Sequence, residues 1–113
     1  MDKLKTYVFD IDGTVCTNTY GDYQSAKPIE DRIAVVNSLY DQGHTIFMLT
    51  ARGMGRSENN QTKAIEELYQ VTKNQLDSWG IKYHQLFLGK PKADLYIDDK
   101  GISDKRFFND KKI

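Results

Sequence analysis

The chain is short of the features that most readily place a protein by composition. It holds one cysteine, two prolines, one tryptophan and two histidines in 113 residues. The lone Cys16 has no intrachain disulfide partner, and a Cys/His structural zinc site lacks ligands. An excess of charge is missing too: sixteen basic and sixteen acidic side chains cancel, and the pI lies near 6.7. Bulk charge therefore does not favour a nucleic-acid platform or a membrane-binding surface. No apolar run is long enough for a signal peptide or a membrane span, so the chain is expected to be soluble and cytoplasmic. Neither a repeat nor a linker divides it, and residues 1–113 are expected to form one domain.

What is present is an alternation of strand-like and helix-like segments. Tyr7 to Ile11 is short, β-branched and aromatic, and reads as a buried strand that stops at Gly13. Residues 16–27 suit an exposed loop or small hairpin. Pro28 suits a first helical turn, and Ile29, Ile33, Val36, Leu39 and Tyr40 recur at helical spacing before Gly43. Thr45 to Leu49 is the second strand, followed by a polar loop over 52–60. A second amphipathic helix carries Ile65, Leu68, Thr72, Leu76 and Trp79 and closes at Gly80. Two more strands are expected, from Tyr83 to Leu88 and from Asp94 to Ile97, and the tail with Phe107 and Phe108 could add an edge strand. The order βαβαββ argues for an α/β sandwich with a mainly parallel sheet, whose ligands bind beyond the carboxyl ends of the strands.

The polar residues are informative at that edge. Side chains alternate along a strand, so Asp10 and Asp12 point the same way if the first strand runs to residue 12. Two carboxylates beside a Gly turn make a plausible hard-cation site, although Asp-x-Asp-Gly also reads as a surface turn. A full calcium loop needs acidic ligands that Thr14 to Tyr20 do not provide. Thr50 and Arg52 end the second strand, where a hydroxyl and a guanidinium suit an anionic tetrahedral group; alone they read as a cap and a solvated charge. Lys90 and Lys92 precede the last strand, which ends in Asp98-Asp99. Adjacent carboxylates repel unless a cation lies near, and a solvated charge run is the plainer alternative. The conjunction carries the weight: three expected strands each deliver polar groups to one edge.

In these residues the chain resembles the haloacid dehalogenase superfamily, in its phosphatase branch. Four motifs match in order across residues 7–99: Asp10-Ile11-Asp12-Gly13-Thr14, then Thr50 after Ile46 to Leu49, then a lysine, then Asp98-Asp99. The resemblance implies a three-layer Rossmann-like sandwich with a mainly parallel sheet. It implies Asp10 as the nucleophile that forms an aspartyl-phosphate, and Asp12 as the general acid and base. Thr50 would hold phosphoryl oxygens and Lys90 would neutralise charge, with Lys92 the alternative lysine. Mg²⁺ would be held by Asp10, Asp12, Asp98 and Asp99. Gly13, Thr14, Arg52 and Arg56 would meet the substrate.

The short spacings leave room for a flap hairpin but no cap domain. Capless relatives act on large substrates or oligomerise so that a neighbour covers the site, which makes a homo-oligomer one expectation. Tyr20, Asp22 and Tyr23 of the flap, with Arg52 and Arg56, would choose the substrate; as solvated loop residues they would do nothing of the kind. His44 and His84 are expected to be structural, and Trp79, Phe107 and Phe108 to be core or interface. The expected activity is that of a Mg²⁺-dependent phosphomonoesterase acting on a small phosphorylated metabolite, with a sugar phosphate of surface-polysaccharide synthesis first in line. A nucleotide or nucleic-acid-end phosphatase is the alternative enzyme, the neutral charge giving no help for polymers. A silent scaffold is the non-enzyme alternative. A receiver-like signalling domain is disfavoured, since its acidic pair ends the first strand.

Overall fold

The computed structural model describes residues 3–110. Three strands, β1 (Thr6–Asp10), β2 (Thr45–Thr50) and β3 (Gln85–Leu88), pair in parallel in the order β1-β2-β3. The crossovers carry α1 (Glu30–Asp41) and α2 (Gln61–Ser78), and α3 (Asp104–Asp110) follows late in the chain. A 3-10 turn at Tyr23–Ser25 lies in the loop before α1. The fold is thus an open, parallel, Rossmann-like α/β arrangement, as the alternation predicts.

Sequential strand order has a consequence for layering. Two right-handed crossovers that step the same way place their helices on the same face of the sheet. Ile46 and Met48 of β2 and Leu86 and Leu88 of β3 are buried on that face, packing in one core with Ile33, Val36 and Leu39 of α1 and Leu68 and Leu76 of α2. The described residues supply the sheet and this helical layer. The opposite face carries Val8, 57% exposed, and Phe87, 42% exposed, which meets Phe47 edge-on.

The register is pinned by both histidines. Ile46 N–H donates to His84 Nδ1 at 3.0 Å while His84 N–H donates to Ile46 O at 2.8 Å. On the other side Lys5 N–H donates to His44 Nδ1 at 3.0 Å. Each imidazole thus satisfies a backbone donor near the amino end of the sheet, away from the strands' carboxyl ends, which is a structural role.

The start of α2 is set by its cap. Asn60 accepts the Lys63 N–H at 3.1 Å and opens α2. Pro28 stands ahead of α1 instead of in its first turn, bridging to Cys16. Ile65, expected on the buried face of α2, is exposed, and Ala64 takes that position.

Two expected strands are corrected. Asp94 to Ile97 forms none, and Ile97 is 93% exposed. The segment turns back on itself: the Tyr96 hydroxyl donates to Pro91 O at 2.6 Å and accepts the Ala93 N–H at 3.2 Å. These are bonds that local turn chemistry offers in place of a ladder. Phe107 and Phe108 lie in a helix, not an edge strand. Ser103 accepts the Phe107 N–H on its carbonyl at 3.0 Å and the Arg106 N–H on its hydroxyl at 3.4 Å. Phe108 is then buried against Phe9, ring centroids 6.1 Å apart, and Arg32 of α1 ties down Asp104 at 2.8 Å.

Candidate active site at the carboxyl edge of the sheet

All three strands end at one edge, and the turn after β1 shapes it. Ile11 O accepts the N–H groups of both Thr14 and Val15 at 3.0 Å. This closure needs Gly13 at φ +84°, where a side chain would be strained although space is available. The tight turn swings Thr14 back over the strand end, and its hydroxyl donates to Asp10 Oδ2 at 3.1 Å.

Lys90 arrives from β3. Its N–H donates to Thr50 O at 3.2 Å, holding the segment after β3 against the end of β2. The ammonium then stands 3.6 Å from Asp10 Oδ1 and 4.3 Å from the centre of the Tyr96 ring. Lys92 goes elsewhere: its N–H is taken by Asn59 Oδ1 at 3.0 Å, and its chain covers Gly55. Of the two candidate lysines, Lys90 is the one brought to Asp10. Burial pushes the Asp10 carboxyl above the ordinary carboxylate range, against the opposing pull of Lys90 and the Thr14 hydroxyl.

Asp12 has a different neighbourhood. Arg52 grips it with a two-pronged fork, Nε to Oδ2 at 2.8 Å and Nη2 to Oδ1 at 2.9 Å. The Cys16 thiol lies 3.5 Å from Oδ1 and 3.6 Å from Ile11 O, and burial pushes this thiol up to about 12, so it stays protonated. Arg52 is 1% exposed. Its Nη1 donates to Gln75 Oε1 at 2.7 Å and to Thr72 Oγ1 at 3.4 Å, and Tyr23 lies 4.7 Å below the guanidinium. Arg52, expected to meet substrate, is instead enclosed by Asp12 and α2. The reason is the loop after Thr50: the Thr50 hydroxyl accepts the Arg52 N–H at 3.1 Å and turns the chain inward. That hydroxyl is itself buried and occupied in the turn.

Tyr23 joins the flap to this network. Its hydroxyl accepts the Gly53 N–H at 3.1 Å, and its carbonyl accepts Gln75 Nε2 at 2.8 Å. Arg56 donates to Gly21 O at 2.9 Å, its guanidinium 5.3 Å from the Tyr23 ring. Gly21, Asp22, Tyr23, Gln24, Arg56, Leu68 and Val71 enclose a shallow cavity of about 220 Å³. Tyr20 projects from the flap tip, 92% exposed.

Asp98 and Asp99 are not brought to Asp10. Asp98 Oδ1 accepts the Lys100 N–H at 2.9 Å, which with the neighbouring Asp99 holds its carboxyl below the ordinary range. Asp99 pairs with Lys100 at 3.2 Å, in open solvent. Among the described residues no three carboxylates, histidines or cysteines stand close enough to share a metal ion. As arranged, the expected four-carboxylate set does not fit a divalent cation: Asp10 faces Lys90, Asp12 faces Arg52, and the acidic pair lies on the exposed segment. What the edge does offer is one carboxylate, one hydroxyl and one ammonium, a set suited to an anionic electrophile.

Gln75 and Thr72 are the functional neighbours that motif reading missed. Thr72 carried a signal, because it is a polar residue inside the apolar stripe Leu68, Thr72, Leu76. Gln75, one turn further on, had none.

No protein-family model matches this chain, and no curated protein matches it. Among solved structures, the chain is similar to a crystal structure of a target protein from Vibrio cholerae. The TM-score is 0.85 at 28% sequence identity, covering 93% of this chain and 88% of that one.

Proposed function

We propose that the protein is a phosphomonoesterase of the haloacid dehalogenase type, acting on a small phosphorylated metabolite, with a sugar phosphate as the first candidate. The observation that supports this most is Asp10 at the end of β1, with Thr14 on Oδ2 at 3.1 Å and Lys90 Nζ 3.6 Å from Oδ1. A carboxylate so flanked has its charge balanced beside it, which lets a phosphate dianion approach without meeting a bare anion.

The chemistry runs in two displacements. An oxygen of Asp10 attacks phosphorus and the bond from phosphorus to the ester oxygen breaks; protonated Asp12 gives its proton to the departing alkoxide. Water then attacks the phosphoryl group, the bond from phosphorus to Asp10 breaks, and Asp12 takes up the proton of the water. The products are the alcohol, inorganic phosphate and the original two side chains. The main contribution of Lys90 is to neutralise charge that accumulates on the transferring oxygens, an effect worth about 10²–10³ in rate for a well-placed donor. The Mg²⁺ that the resemblance implies is left to the EDTA arm of the test, since the carboxylates of the described residues are not gathered round one ion, and no step above is routed through it.

The test is phosphate release with Mg²⁺ across sugar phosphates, nucleotides and 5′-phosphorylated oligonucleotides, with EDTA and Asp10→Asn as controls. Release from one class, abolished by Asp10→Asn, is the expected result, and loss in EDTA supports the ion. Release that survives Asp10→Asn, or none from folded protein over the whole panel, would overturn the reading.

A further inference from the structure

A carboxylate has about four lone-pair sites, two on each oxygen. Arg52 fills two of them on Asp12, one on each oxygen, at 2.8 and 2.9 Å. The single hydrogen of the Cys16 thiol is shared between Oδ1 at 3.5 Å and Ile11 O at 3.6 Å. The Asp12 side chain keeps 17% of its surface, whereas that of Arg52 keeps none, so Asp12 is the partner that solvent still reaches.

The clamp is itself clamped. Gln75 Oε1 holds Nη1 of Arg52 at 2.7 Å, Thr72 approaches it at 3.4 Å, and the Tyr23 ring closes the plane at 4.7 Å. Gln75 is fixed in turn by donating to Tyr23 O at 2.8 Å. A planar guanidinium with its donors engaged on three sides leaves the carboxyl plane of Asp12 little freedom to rotate.

We infer that Arg52 is a positioning residue for the acid–base step: by gripping both oxygens of Asp12 it confines proton exchange to the lone pairs its fork leaves free and fixes the plane in which that proton travels. The inference rests on the phosphatase reading above. It separates Arg52 from the phosphate-binding role that its motif position suggested, because a side chain with no exposed surface has no face to offer a substrate.

Leaving groups distinguish this role from a structural one. An aryl phosphate such as p-nitrophenyl phosphate departs without a proton, whereas an alkyl phosphate such as glycerol 2-phosphate needs one. The quantity to compare is kcat/KM, which reports the steps up to alcohol release. Arg52→Lys keeps a positive charge but loses the fork; Gln75→Met keeps the fork but frees its far end. With Arg52→Lys, kcat/KM for the alkyl ester is expected to fall roughly 10- to 100-fold, since general acids contribute about 10²–10⁴, while the aryl ester changes less than about threefold. Gln75→Met is expected to show the same selectivity at smaller size. Equal losses on both esters, or none on either, in variants that keep the wild-type far-UV circular dichroism spectrum, would overturn the inference and leave the phosphatase reading intact. Wild-type protein that releases phosphate from neither ester nor any substrate of the wider panel would overturn both.

Discussion

Asp10 and Asp12 are two residues apart on one strand end, yet they sit in different physical situations. Asp10 faces an ammonium whose side chain keeps 22% of its surface, at 3.6 Å, and burial lifts its carboxyl above the ordinary range. Asp12 is locked to a guanidinium that has no exposed surface, with both oxygens engaged. On the proposed reading, the same residue type would serve as an available nucleophile in one place and as an oriented proton carrier in the other. The difference comes from the segments after β3 and β2, which bring Lys90 to one carboxylate and Arg52 to the other. Removing one partner of a buried pair leaves a charge that water cannot fully reach, whereas an exposed pair is replaced by solvent.

That contrast can be broken at either end. Arg52→Met should cost about 3 kcal/mol of stability in urea denaturation, near the low end for a broken buried pair because Asp12 keeps some contact with water. A loss below about 1 kcal/mol would put the Arg52 pair in the class of surface ion pairs and dissolve the distinction. Lys90→Met should leave stability within about 1 kcal/mol and instead lower kcat/KM about 10²-fold, near 2.7 kcal/mol of barrier. Because Lys90 pulls the Asp10 carboxyl down, its removal should also move the acid limb of the kcat/KM profile to higher pH. An acid limb that stays in place would mean that Lys90 does not sense the ionisation of Asp10.

The smallest effect is on stability at Asp10. Its folded pKa lies above its unfolded value, so the fold favours the protonated form. That contribution is complete below the unfolded value near 3.8 and is lost as pH rises through the folded one. Ionised Asp10 therefore weakens the fold at neutral pH. Asp10→Asn in EDTA should show a slightly higher Tm than wild type at pH 7, with the gap closing as pH falls towards 4. A lower Tm at pH 7 would contradict the burial cost assigned to Asp10.

Much of this arrangement was legible in the sequence. Apolar runs bounded by Gly marked β1 and β2, and the end of the polar loop at residue 60 marked the start of α2. Asp10, Thr14 and Lys90 stood at strand ends that a parallel sheet gathers to one edge. Arg52 was legible as a site residue but not in its orientation, because the inward turn depends on the Thr50 hydroxyl and on Gln75, a residue 23 positions downstream. The segment from Asp94 to Ile97 has strand-like composition, yet propensity does not supply a neighbour to pair with, and the hydroxyl of Tyr96 captures the local backbone instead. Phe107 and Phe108 read as an edge strand in the sequence for a similar reason: two adjacent aromatics have no period that marks a helix, and the bonds to Ser103 start one.

The most direct measurement is acid quenching of the protein during turnover of a phosphate ester, followed by mass spectrometry of its peptides. The account predicts one phosphoryl group on the peptide that carries Asp10, absent from Asp10→Asn and accumulating when water attack is slowed in Asp12→Asn. Turnover with the phosphoryl group on another residue would contradict it.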